Sequence, residues 1–102
     1  MNTSNYHNLV VAGTQVWLRR LVHSGRYAYG RWRKFVAAKA AELCEVTDRT
    51  LLLAGLHGLL GEFKKVETEA NRKEARTLKA RCLDLIRALE SAASRSEGLL
   101  PQ

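Results

Sequence analysis

The chain has 102 residues, a length suited to one cooperatively folded domain that needs neither disulfides nor metals for stability. Apolar residues make up 46% and charged residues 26%, which excludes a disordered chain, and the longest apolar run, at 51–60, is about half of what a bilayer-crossing helix requires. The net charge is +7, and residues 1–41 own all of it: they hold seven bases and no acid, whereas residues 42–102 hold ten of each.

A lone proline at position 101 and an abundance of Ala, Leu, Arg, Lys and Glu predict an all-α fold, a small helical bundle of about four helices in a single domain. Within it, residues 1–46 read as a basic helical hairpin, 47–97 as nearly neutral helices and 98–102 as a tail. The first helix is predicted to start at the capping residues Thr3 or Ser4 and to run to His23, where Ser24 and Gly25 stop it. On a helical wheel Asn8, Ala12, Gln15, Arg19 and His23 make a narrow polar stripe, and apolar residues such as Leu9, Val16 and Leu18 fill most of the rest. Such a helix is expected to be enclosed, either centrally or in an oligomer.

The second helix is predicted to begin between Gly25 and Gly30 and to reach Val46. Spacings of three and four place Tyr29, Trp32, Val36, Ala40 and Leu43 on its inner face, with Arg26, Arg33 and Lys34 opposite, Arg31 and Tyr27 at the margin, and Ala37, Ala38 and Ala41 farther along outside. Thr47 and Asp48 can cap a third helix, in which Gly55, Gly58 and Gly61 form a line of small residues suited to close packing. Asn71 followed by Glu74 resembles a capping pair, so a break is expected at 69–74, with one unbroken helix as the alternative. Beyond it Leu78, Cys82, Leu85, Leu89 and Ala92 form a short heptad-like seam up to Gly98.

Charge carries most of the functional inference. The stretch GRYAYGRWRK at 25–34 mixes cations with aromatics, and arginines pair with phosphates while an exposed tyrosine can stack on a base. The predicted nucleic-acid-binding residues are Arg19, Arg20, Arg26, Tyr27, Arg31, Arg33, Lys34, Lys39 and Arg49. The partner is expected to be DNA or RNA, or else an acidic protein surface, met by an oligomer or by a small subunit of a larger assembly.

A second stretch, AAELCEVTDRTL at 40–51, resembles the helix-turn-helix motif. The resemblance rests on Ala41 at the tight helix contact, apolar Cys44 and Val46, a Thr47 cap, and Leu51 and Ala54 facing inward. It implies that Thr47, Asp48 and Arg49 face base edges in the major groove. Two positions depart from the motif: Glu45 stands where its glycine usually sits, and Leu52 and Leu53 take the next outward positions.

His7, His23 and His57 lie far apart, no paired histidine or cysteine spacing is present, and no serine sits in a nucleophile-elbow context, so no catalytic residue, metal site or cofactor is predicted. The opening MNTSNYHN lacks the pattern of a secretory signal, and Cys44 and Cys82 read as reduced thiols, so a cytoplasmic location and no membrane association are expected. The leading expectation is a non-enzymatic module that grips the phosphate backbone. The alternatives are a protein-interaction adaptor or inhibitor that docks on an acidic surface, and a helix-turn-helix-like DNA-binding regulator.

Overall fold

The computed structural model describes the backbone of residues 3–27 and 30–98 and the side chains of 6–27 and 30–92. Four helices, α1 (Thr3–Arg26), α2 (Arg31–Ala41), α3 (Arg49–Val66) and α4 (Arg72–Gly98), form a small all-α bundle. α1 packs along both α2 and α4, and α3 packs on α4 and α2. Neighbouring helices run antiparallel: Gly25 faces Ala37, Leu43 faces Gly55, and the Cys82 thiol reaches the Leu56 carbonyl. At 1.5 Å per residue the 27-residue α4 is about 40 Å long, so it extends well past the 11-residue α2.

The core takes residues from every helix. Leu18 and Leu21 of α1 meet Val36 and Ala40 of α2, Leu52, Leu56, Leu59 and Phe63 of α3, and Cys82, Ile86 and Leu89 of α4. The seam on α4 is as the spacing predicts, with Cys82, Leu85, Leu89 and Ala92 buried and Leu78 half-buried. The break before it is also present. Asn71 accepts from the Thr68 backbone N–H at 2.7 Å through Oδ1 and donates through Nδ2 to the Val66 carbonyl at 3.0 Å, so one buried side chain ties the end of α3 to the start of α4.

Several expectations need correction. α1 does not stop at His23 but continues through Gly25 to Arg26. Gly25 is helical because its missing side chain is used for packing: a Cβ there would lie 2.3 Å from the Ala37 Cβ. Ala37 is accordingly buried in the hairpin, whereas Ala38 and Ala41 are outside as expected. The left-handed conformation that turns the hairpin belongs to Gly30, at φ 95°, which an L side chain adopts only with strain.

α2 ends at Ala41, five residues earlier than predicted. From Glu42 onward the backbone closes i to i−3 bonds, including Leu43 N–H to the Ala40 carbonyl at 3.0 Å and Val46 N–H to the Leu43 carbonyl at 3.1 Å. Gln15, expected on the polar stripe, is buried beneath this turn, where its Nε2 donates to the Val46 carbonyl. Conversely Leu9 and Val16 are 70% and 45% exposed; among the described residues α1 packs mainly on α2 and α4. Leu52 is fully buried and Leu53 half-buried, so the two do not form the outward-facing pair expected. Of the three glycines on α3, Gly55 alone meets a neighbour, the Leu43 side chain; Gly58 and Gly61 face open space. Trp32 is half-buried and Leu43 likewise, as their inward spacing predicts, while Tyr29 lies outside the described residues. The Ser4 side chain and the 99–102 part of the tail lie outside them too.

Glycine substitutions test this packing. Gly25→Ala is expected to lower stability in urea unfolding because it forces α1 and α2 apart. Gly13→Ala, in an open helical position, should raise stability by about 0.5–1 kcal/mol. Equal effects of the two substitutions would contradict the close helix contact.

Candidate nucleic-acid interface

The antiparallel hairpin brings Arg26 at the end of α1 beside Arg31 and Lys34 at the start of α2, while Arg19 and Arg20 lie about two turns back along α1, Arg19 beside the α2–α3 turn. Arg19, Arg20, Arg26, Arg31 and Lys34 are all exposed, and none has an ion-pair partner among the described residues. Tyr27 stands next to Arg26 with 73% of its surface in solvent. Its ring meets His23 edge to face, with centroids 5.4 Å apart and planes at 67°.

Arg19, His23 and Arg26 recur at helical spacing on one face of α1, and with Val22 they flank a shallow cleft of about 200 Å³ closed on the far side by Cys44. The cleft lies where the α2–α3 turn folds back over α1. Glu45 on that turn is exposed and forms no ion pair with Arg19 among the described residues. Burial pushes the Cys44 thiol up; the Arg19 guanidinium works against that rise and Glu45 adds to it. Cys82, sealed in the core, is pushed up to about 12 by burial. Both cysteines are free thiols.

Three predicted binding residues are placed differently from this group. Arg33, read as outward, keeps only 18% of its side chain in solvent: Nη1 pairs with Glu74 of α4, and Nη2 donates to Ser24 Oγ at 2.6 Å. It joins three helices, because Glu74 is the one acid that reaches the hairpin among the described ion pairs. Lys39 sits over the Phe35 ring, 5.7 Å from its centroid, and borders a separate groove with Glu42 and Glu62. Arg49 is half-buried at the first residue of α3, at the opposite end of α2 from Arg31 and Lys34.

The helix-turn-helix resemblance does not extend to the structure of 40–54. Ala41 is exposed instead of sitting at a tight helix contact, and Leu51 (64% exposed) and Ala54 face outward while Leu52 is fully buried. The cap is Asp48, whose carboxylate accepts from the Leu51 N–H at 2.9 Å, and Thr47 stays outside the helix. Glu45 has no left-handed conformation, so the motif's tight turn is not formed. The reason is rotational: Asp48 sets the start of α3 so that Leu52, Leu56, Leu59 and Phe63 form its inner face.

Sequence reasoning missed His23 as part of this surface. The signal was present in the i, i+4, i+7 spacing of Arg19, His23 and Arg26. Cys44 carried no such signal, because only the folding of the turn brings it to α1. No group of three or more His, Cys, Asp or Glu side chains is gathered for a metal among the described residues, and no helix there is long and apolar enough to cross a membrane. Comparison with known proteins finds no match to this chain among family models, curated proteins or solved structures.

Thiol labelling tests the cleft geometry. At about pH 8 a disulfide reagent should modify Cys44 in the folded protein, more slowly than a free thiol, and reach Cys82 only after unfolding. Simultaneous labelling of both thiols under native conditions would contradict the burial described.

Proposed function

We propose that this protein is a non-enzymatic nucleic-acid-binding module that holds the phosphate backbone through the cationic end of the α1–α2 hairpin. The observation that carries the reading is that Arg19, Arg20, Arg26, Arg31 and Lys34 are exposed and, among the described residues, without an acidic partner. Unneutralised cations along one hairpin repel one another, and a polyanion relieves that repulsion while releasing its own counterions. Guanidinium groups suit phosphate oxygens because they donate in a planar fork. Two free thiols fit a reducing compartment such as the cytoplasm.

A protein-docking role is favoured by a different feature. Leu9 and Val16 are exposed on α1 with open Gly13 between them, and this apolar strip continues into Arg20. It suits an assembly partner with an acidic rim around an apolar centre. Co-purification of a stoichiometric protein with no nucleic acid would favour that reading over the first.

Fluorescence anisotropy with a labelled oligonucleotide tests the leading reading. The logarithm of affinity should fall with the logarithm of salt by about 0.7–0.9 per neutralised phosphate. Combined charge reversal at Arg26, Arg31 and Lys34 should weaken binding more than about tenfold with the helical circular dichroism unchanged. Binding indifferent to salt, or unaffected by the reversal, would overturn the reading.

The Arg33 pair supplies a test of opposite sign. Glu74→Gln frees Arg33 and adds to the net charge, so affinity should rise, by about two- to fivefold. Stability should change by no more than about 1 kcal/mol, because half of the Glu74 side chain is in solvent. A loss of affinity in a folded Glu74→Gln protein would contradict the charge account.

A further inference from the structure

The form of nucleic acid follows from what stands beside the cleft. Two arginines on one helical face, Arg19 and Arg26, flank a recess with Val22 and Cys44 as its apolar lining, and His23 lies between them. At about 200 Å³ the recess is smaller than a pocket for an ordinary organic ligand, but it has room for a phosphate group. Immediately next to it His23 touches one part of the Tyr27 ring and leaves most of that ring in solvent. With 73% of its surface in solvent, this ring stands outside the core. Beside a phosphate-holding pair of guanidiniums it offers a stacking surface for an unpaired base.

We propose that this face of α1 binds a single strand in preference to a duplex, with a backbone phosphate between Arg19 and Arg26 and the adjoining base stacked on Tyr27. The inference rests on the nucleic-acid reading above and adds the strand form to it. In a duplex the bases are already stacked on one another and Tyr27 has no base face to meet, so the arginines alone contribute. In a single strand, phosphate and base are engaged together. Stacking tolerates any base, so the preference is for strand form and not for sequence.

The test compares a labelled single-stranded 15-mer of thymidine with a mixed-sequence duplex of the same length, at matched salt, by fluorescence anisotropy. Tyr27→Ala should weaken single-strand binding about 5- to 100-fold and leave duplex binding unchanged, and Tyr27→Phe should retain the affinity of the unaltered protein. Tyr27 is so exposed that its replacement leaves the fold intact, which circular dichroism checks. Arg19→Gln should weaken both forms. If Tyr27→Ala has no effect, or affects strand and duplex equally, while binding persists, the single-strand inference fails and the backbone-binding reading stands. If the unaltered protein binds neither polymer, both fail.

Discussion

The contact between Gly25 and Ala37 is the constraint on which the rest of the structure depends. A hydrogen atom in place of a side chain at Gly25 lets α1 and α2 approach until the Ala37 methyl fills the space a Cβ would occupy. That approach holds together two helices whose charges are all of one sign. With Gly30 making the reversal in a left-handed conformation, the last turn of α1 and the first turn of α2 are fixed side by side. Arg26, Arg31 and Lys34 therefore share one end of the bundle. Apolar packing supplies the cohesion, and the electrostatic repulsion remains available for a ligand to relieve.

The bundle divides its charges unevenly. Among the described residues, Glu62 pairs with Lys65 one turn along α3, and Glu67, just past the end of α3, pairs with Lys79 of α4 at 2.6 Å. The Lys79 hydrogen bond holds the Glu67 carboxyl below its usual range. Among the described residues one acid, Glu74, pairs across to the hairpin, and it takes Arg33 out of the exposed set by joining it to α4. Arg33 thus serves architecture, while its neighbours Arg31 and Lys34 stay in solvent. The cationic surface lies on the part of the chain, residues 1–41, that carries seven bases and no acid.

Helix number, the break at Asn71 and the α4 seam were legible in the sequence because each depends on local spacing or capping. Residue rotation was legible only where a helix is flanked as the wheel assumes. Gln15 looked like part of a solvent stripe, and only the α2–α3 turn, by presenting the Val46 carbonyl, gave it a buried partner. Leu9 and Val16 looked like core residues, yet among the described residues α1 packs mainly on α2 and α4, and these two side chains stay in solvent. For the site, the concentration of cations was readable from charge counts alone. The removal of Arg33 was not, since Glu74 is 41 residues away in the chain and reaches it only in the folded bundle.

The central claim is that phosphate is held at the end of the hairpin where α1 meets α2. Mapping amide chemical shifts while a short oligonucleotide is added tests it residue by residue. The account predicts shifts concentrated at residues 19–27 and 30–35, with little change along the outer face of α3. Shifts centred on Leu9, Gly13 and Val16, or on the first turn of α3 around Arg49, would contradict it.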